Sequence, residues 1–239
     1  MTRVGTRADY ARRFDEERTQ TYPMMDAVEA TFGYALDRTV LEAAARVLAC
    51  PLKVHAPCWQ HGRLLYAATR RYLQEAHEQT PVALLDIGTA KGFSALCLYW
   101  ALRDAGRVGT VTSVDVIDPA SAVMRNSVAD CEGPTTLAQV LAPWPEAQAI
   151  HFHQRTGIEH LTRRADRIHV AFVDGKHAYG VVREEGTLLA ARQRPGDLAL
   201  FDDCQIDGVQ RAINALGGLY HFEIIEVKPE RAYAVGVRR

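Results

Sequence analysis

The segment from residue 82 to residue 94 reads VALLDIGTAKGFS, and it decides the fold class. An apolar run ends at the carboxylate of Asp86, a loop with two glycines follows, and a helical pattern begins at Phe93. A buried strand, a tight turn and a helix in this order are typical of the first unit of a parallel α/β sheet. The segment therefore predicts that strands and helices alternate from here onwards.

The rest of the chain repeats this alternation and then departs from it. Strand-like runs that precede helical patterns lie at 109–116, 149–153, 168–174 and 197–203. Only the residues KPER separate the last two runs, 219–227 and 232–239, and so short a connection predicts a hairpin. We therefore expect an α/β fold: a doubly wound, mostly parallel seven-stranded sheet that ends in an antiparallel hairpin.

The first 80 residues have a different texture, with no strand pattern. The helical stretches there are 7–20, 24–33, 38–49 and 61–79. The sequence predicts a helical N-terminal extension (1–80) before an α/β domain (81–239). We expect the extension to cover a substrate pocket or to form the contacts of a homo-oligomer.

Composition excludes several classes of protein. The chain has 28 basic and 29 acidic residues, so its balanced charge favours neither nucleic acid nor an anionic membrane as a partner. The five scattered cysteines form no CxxC pair, which argues against a disulfide framework and a zinc site. The charged N-terminus lacks a signal-peptide core, and no apolar run is long enough to span a bilayer. We expect a soluble, cytoplasmic protein.

The loop after the first strand indicates the type of cofactor. GTAKGF does not have the GxGxxG spacing of dinucleotide folds, and Asp86 places an anion where a pyrophosphate would bind. A ligand with cationic groups, such as S-adenosylmethionine (SAM), suits that acid, while Gly88 and Gly92 allow close approach to the backbone. Asp115, at the end of the next strand, is expected to accept hydrogen bonds from ribose hydroxyls, although Asp118 is a close competitor.

This segment resembles the first motif of the class I SAM-dependent methyltransferases, in which alternating glycines follow an acid. Here the motif runs Asp86, Gly88, Ala90 and Gly92. Because Ala90 replaces the middle glycine, we expect that the loop does not need a positive φ angle there. The resemblance implies a Rossmann-like methyltransferase fold with a cofactor site formed by Asp86, Gly88, Thr89, Gly92, Asp115, Arg155 and Thr156. The side chains of Thr156 and Glu159 also have the spacing of a helix capping box.

A second group of acids follows two later strands. Asp174 ends one strand, and Asp202 and Asp203 end the next, so the three carboxylates should meet at one edge of the sheet. Such like charges either raise one another's pKa values or hold a cation. All-oxygen ligands favour a hard divalent ion such as Mg²⁺. A divalent cation is the simpler explanation.

FVDGKHAYGVV and RPGDLALFDD together resemble the metal-dependent O-methyltransferases of the macrocin O-methyltransferase and cephalosporin-hydroxylase-like group. The resemblance covers roughly 82–239 and implies that Asp174, Asp202 and Asp203 bind the metal and that His177 is the general base. The alternatives for His177 and Lys176 are a surface histidine that caps the next helix and a solvated lysine.

These patterns favour metal-assisted O-methylation of a small molecule with two adjacent oxygens, such as a sugar diol or a catechol, in natural-product biosynthesis. The alternatives are an RNA or protein methyltransferase and a catalytically silent module that binds SAM. The balanced charge and the lack of an N/D-P-P-Y motif argue against the first alternative.

Overall fold

The computed structural model describes residues 6–49, 57–76, 81–125, 133–163 and 165–239. The described part of the first 80 residues contains four helices and no strand, in agreement with the sequence pattern. These helices are α1 (Arg7–Arg18), α2 (Pro23–Phe32), α3 (Arg38–Leu48) and α4 (Gln60–Glu75). No helix in the described ranges is both long and apolar enough to cross a membrane.

Local signals fix where these helices begin and end. Thr6 and Asp9 form a reciprocal capping box at the start of α1, in which the amide of Asp9 donates to Thr6 Oγ1 over 3.2 Å and the amide of Thr6 donates to Asp9 Oδ2 over 3.0 Å. Asp37 caps α3 by accepting from the amide of Thr39 at 2.8 Å. Gly33, at a φ of 80°, ends α2 in the left-handed conformation.

The remaining elements alternate as the sequence predicts. The strands are β1 (Val82–Ile87), β2 (Gly109–Asp115), β3 (Ile150–Gln154), β4 (Val170–Val173), β5 (Leu198–Phe201), β6 (Tyr220–Lys228) and β7 (Arg231–Arg238). They form one sheet in the order β3-β2-β1-β4-β5-β7-β6. The first five strands are parallel, and β7 is antiparallel to both β5 and β6, so the predicted mostly parallel sheet with a closing hairpin is confirmed.

Helices cover both faces of the sheet. The remaining helices are α5 (Phe93–Asp104), α6 (Leu137–Leu141), α7 (Gly157–Arg163), α8 (Tyr179–Ala190) and α9 (Asp207–Leu216). On β1, Leu84 packs into the core that includes residues of α2 to α5, whereas Leu85 packs into the core shared with α8 and α9. Burial on both faces explains why the central strands are continuous apolar runs. Cys58, Cys97 and Cys204 are free thiols, and Cys50 and Cys131 lie outside the described residues.

The strand directions bring chemically distinct side chains to one edge of the sheet. The parallel strands β1, β2, β4 and β5 all end at this carboxyl edge, where Asp86, Asp115, Asp174 and Asp202 are found. Because β7 runs antiparallel to β5, it begins at the same edge, with Arg231. Ligands of doubly wound folds bind at this edge.

Candidate active site

Gly88 joins the loop after β1 to the end of β4. Its φ is 104°, and a Cβ at this position would overlap the backbone carbonyl oxygen of Asp174. The amide of Asp174 donates to the carbonyl of Ile87 over 2.9 Å. Only glycine fits both the backbone conformation and the space. The predicted cofactor loop and the predicted metal ligand are therefore in direct backbone contact.

Asp86 is fully buried beneath this loop. The hydroxyl of Ser113 on β2 donates to its Oδ2 over 2.6 Å, and Oδ1 has no hydrogen-bond partner among the described residues. Burial raises the pKa of Asp86 to about 7, although the hydroxyls of Ser113 and Ser94 act in the opposite direction. A buried carboxyl with one unsatisfied oxygen is suited to a cationic ligand.

Asp115 lies at the end of β2, as predicted, and faces the loop. Its Oδ2 accepts from the amide of Ala90 at 2.9 Å and its Oδ1 from the amide of Ile117 at 3.0 Å. Asp118, the competitor, accepts from the amide of Ala120 at 2.9 Å and shapes its own turn. Each Asp115 oxygen retains a lone pair that a ribose hydroxyl could use.

The structure corrects the expectation for Ala90. Its φ is 45°, so the loop does adopt a left-handed conformation at the position of the family's middle glycine. The hydrogen bond from its amide to Asp115 helps to hold this conformation against the steric penalty of a Cβ. Ala90 therefore keeps a left-handed backbone conformation despite its Cβ.

Gly92 lies in the loop after β1, and Arg155 and Thr156 directly follow β3. Gly92 precedes α5 with a φ of 86°. The amide of Arg155 donates to the carbonyl of Asp115 over 2.8 Å, which fixes the end of β3 beside β2. The side chain of Thr156 forms the capping box with Glu159, whose amide donates to it over 3.1 Å. The local structural role of Thr156 is thus confirmed.

A second cluster lies where β4 and β5 end. His177 Nε2 is 3.4 Å from Asp174 Oδ1 and 3.3 Å from Asp203 Oδ2. One ligand atom from each of these residues lies within 4.8 Å of the other two. The hydrogen bond to Asp174 raises the pKa of His177, while burial raises the pKa of Asp174. The structure therefore brings together three of the four residues that the sequence assigns to this site.

Asp202, the fourth residue, lies behind this cluster. It is 3% exposed, and its Oδ1 accepts from the amide of Asp203 at 2.6 Å and from Arg231 Nη1 at 3.1 Å. Burial and the charge of Asp174 raise its pKa well above the ordinary value for aspartate. Asp202 therefore contributes no atom to the group that Asp174, His177 and Asp203 form.

Arg231 is the residue of this site that sequence reasoning missed. Its guanidinium also pairs with Asp203, and it lies at the start of β7. The hairpin prediction placed Arg231 in a turn of no stated role. Sequence reasoning could not place it, because only the pairing of β7 with β5 brings the start of β7 to the edge where β5 ends.

The loop that carries His177 packs against the first turn of α9. A Cβ at Gly208 in the first turn of α9 would overlap the carbonyl oxygen of His177, so the helix and the loop are in close contact. Lys176 is exposed, as expected for a solvated lysine. The loop therefore directs the imidazole, rather than the amine, towards the carboxylates.

Both predicted ligands fit this arrangement in chemical terms. For SAM, Gly88 and Gly92 would allow close approach to the backbone and Asp115 would provide acceptor oxygens, while Asp86 would add negative charge from its buried position. Asp174 and Asp203 would provide two carboxylates that are able to hold a divalent cation, with the imidazole of His177 beside them.

The comparisons with known proteins agree with this fold. Residues 85–204 match a protein family described as a methyltransferase domain, and the chain belongs to that family. It is a class I methyltransferase in fold and in motif. No curated protein matches the sequence significantly.

Solved structures share the fold at low identity. An O-methyltransferase from Bacillus cereus in complex with SAH is 12% identical with a TM-score of 0.57, and the match covers 92% of this chain and 93% of that one. TomG from Streptomyces achromogenes, an O-methyltransferase involved in tomaymycin synthesis and solved with SAM, is 18% identical with a TM-score of 0.56, covering 89% and 96%. SAH-bound PaMTH1 from Podospora anserina is 12% identical with a TM-score of 0.58, covering 90% and 94%.

Proposed function

We propose that the protein transfers the methyl group of SAM to a hydroxyl oxygen of a small molecule. The observation that carries this proposal is the close contact between Gly88 and Asp174, because the loop after β1 then lies beside the cluster around His177. A methyl donor held by that loop and a hydroxyl near the imidazole would lie next to each other. Methyl transfer requires such proximity, since the oxygen must approach the methyl carbon in line with the carbon–sulfur bond.

His177 is proposed as the general base. Its neutral Nε2 takes the hydroxyl proton as the oxygen forms its bond to the methyl carbon, and the electrons of the broken carbon–sulfur bond remain on sulfur. Asp174 and Asp203 lie within 3.4 Å of this nitrogen and stabilise the imidazolium that results.

The cofactor proposal includes a divalent cation, with Mg²⁺ as the first candidate. Asp174 and Asp203 would hold it, and Asp202 would support it through the same strand end. A bound cation lowers the pKa of a hydroxyl that coordinates it, which makes the oxygen a better nucleophile. An acceptor with adjacent oxygens, such as a sugar diol or a catechol, would use one oxygen for the cation and the other for the methyl group. TomG acts in the synthesis of a natural product, and we propose a similar setting here.

A radiolabel transfer screen tests the reaction. Labelled SAM is incubated with panels of catechols and sugar diols, with and without EDTA. We expect transfer to at least one panel and loss of transfer after chelation. Undiminished transfer in EDTA would reject the metal, and absence of SAM binding in calorimetry would reject the whole proposal.

Variants at the base test the mechanism. His177→Ala should lower turnover by on the order of 10²–10⁴ while binding of SAM stays nearly unchanged. Lys176→Ala is the matched control, because it removes an exposed amine from the same loop, and it should be mild. The reverse result, an inactive Lys176 variant and a normal His177 variant, would move the proton transfer to the lysine.

A further inference from the structure

Arg231 places a permanent positive charge among the acids of the active site. Its Nη1 lies 3.1 Å from Asp202 Oδ1 and also contacts Asp203 Oδ1. Only 20% of its side chain is exposed, and the Asp202 side chain is almost entirely buried. At this depth a guanidinium and two carboxylates interact much more strongly than a surface ion pair.

The same contacts fix the orientation of Asp203. Its φ of 54° is a left-handed conformation, which is costly for a non-glycine residue. Its Oδ1 is held by Arg231 and by Gln205 Nε2 at 2.7 Å, and Gln205 Oε1 accepts from the amide of Ala232 at 2.9 Å. The first residues of β7 therefore hold one oxygen of Asp203 in place. The other oxygen, Oδ2, faces His177 Nε2 at 3.3 Å.

The charges of the three carboxylates and Arg231 do not cancel. When the three carboxylates are ionised, one guanidinium neutralises one of them and leaves the site two negative charges in excess. Arg231 occupies the side of the cluster that Asp202 faces. The open side is bounded by Asp174, His177 and Asp203.

We propose that Arg231 is the resident cation of this cluster, so that only one further cation can enter, on the side of His177. The inference rests on the proposed function in that both use the same carboxylates. It predicts a repulsion between Arg231 and any divalent ion in the cluster. It also predicts that the free protein depends on Arg231 to keep the three acids together.

The experiment is a calorimetric titration of the full chain with Mn²⁺, in the absence of SAM and of any acceptor. We expect Arg231→Met to bind Mn²⁺ about 10- to 100-fold more tightly than the parent, because a like charge is removed and Asp202 is released as a ligand. Arg231→Lys keeps the charge and should stay close to the parent affinity. Arg211→Met removes an exposed arginine that pairs with Asp207, and should have no effect.

Thermal unfolding in EDTA provides the second measurement. Arg231→Met should lower Tm by roughly 5–10 °C, since three carboxylates then remain without their internal cation, and Mn²⁺ should restore much of the loss. If Arg231→Met does not fold in EDTA, Arg231→Gln, which keeps a hydrogen-bond donor, takes its place in both measurements.

Three results would overturn the inference. The first is a Mn²⁺ affinity of the folded Met or Gln variant that is unchanged or weaker than that of the parent, and the second is no Mn²⁺ binding by that variant. The third is an Arg231→Lys variant that binds Mn²⁺ as tightly as the Met variant does. A failure of the proposed methyl transfer is a separate outcome, because neither measurement contains SAM or an acceptor.

Discussion

Gly88 lies where the predicted cofactor loop contacts the proposed catalytic cluster. Gly88→Ala would place a methyl group against the carbonyl of Asp174 at a φ that alanine rarely adopts. We expect a loss of about 2–3 kcal/mol in the free energy of unfolding, together with weaker binding of SAM. Urea denaturation and calorimetry measure the two effects.

The control for this variant is Gly180→Ala on the exposed side of α8, where a Cβ meets no atom. It should be neutral or slightly stabilising, because alanine favours the helix. Equal stability of the two variants would contradict the role given to Gly88.

We expect Asp86 to link the binding of SAM to pH. Its pKa of about 7 means that the free protein holds this carboxyl partly protonated near neutrality. A cationic ligand prefers the ionised form, so the affinity for SAM should rise by up to about tenfold from pH 6 to pH 8. Calorimetry at both pH values measures this rise.

Asp86→Asn should bind SAM more weakly and lose most of the pH dependence. Asp118→Asn is the control, because Asp118 shapes a neighbouring turn. This variant should keep the pH dependence of SAM binding. An affinity for SAM that is flat with pH in the parent protein would refute the linkage.

Single residues also show where sequence reasoning reaches its limit. Asp86, Gly88 and Asp115 could be placed from motif spacing because local chain order determines their positions. The φ of Ala90 could not, because it depends on a hydrogen bond to the side chain of Asp115, 25 residues away. Arg231 was missed for a similar reason, since its partners lie on another strand.

At the scale of elements, α7 and α8 meet through a buried acid. Glu185 on α8 is 3% exposed and packs against Gly157 on α7, and its Oε2 has no hydrogen-bond partner in the described ranges. Burial raises its pKa to about 7, from an ordinary value of 4.5. The folded state therefore binds this proton more tightly than the unfolded state does.

The raised pKa of Glu185 makes the free energy of unfolding depend on pH. The contribution of Glu185 is fully present below about pH 4.5 and is lost as the pH rises through about 7. Glu185→Gln should therefore be more stable than the parent at pH 8, by on the order of 2–3 kcal/mol, and similar to it at pH 5. Urea denaturation at the two pH values checks this.

Glu184→Gln is the matched control, since Glu184 is the exposed neighbour on the same helix. It should change the pH dependence little. If Glu185→Gln retains the pH dependence of the parent's free energy of unfolding, the buried carboxyl of Glu185 does not cause that dependence.

Elements were the part of the fold that the sequence determined best. Periodicity predicted α1 to α4 within a few residues, and the short KPER connection predicted the β6–β7 hairpin. The strand order could not be obtained in this way, because the insertion of β7 between β5 and β6 depends on packing between distant parts of the chain. The pairing of Arg231 with Asp202 and Asp203 depends on that order, because β7 begins beside the end of β5.

At the scale of the whole molecule, the N-terminal helices and the sheet share one core. Met25 of α2, Leu65 of α4 and Leu84 of β1 belong to the same buried cluster, and Phe14 of α1 stacks on Trp59 at 5.2 Å. The division into a helical extension and an α/β domain, and the role of the extension in covering a pocket or forming an oligomer, remain predictions. The continuous core indicates that the two parts stabilise each other.

The last prediction is that the chain unfolds as one cooperative unit and that Arg63 couples its parts. Arg63 on α4 is 1% exposed, and its guanidinium pairs with Glu29 on α2, with an Nε–Oε1 distance of 2.8 Å, and with Asp26 at 2.5 Å. Arg63→Met leaves Glu29 without this partner, so we expect a loss of about 3–5 kcal/mol in a single transition. Arg71→Met, which removes an exposed pair with Glu75 on the same helix, should cost at most about 0.5 kcal/mol. Far-ultraviolet circular dichroism and tryptophan fluorescence should give coincident melting curves for all three proteins. An early helical transition that leaves the sheet folded would instead show that residues 1–80 are a separate unit.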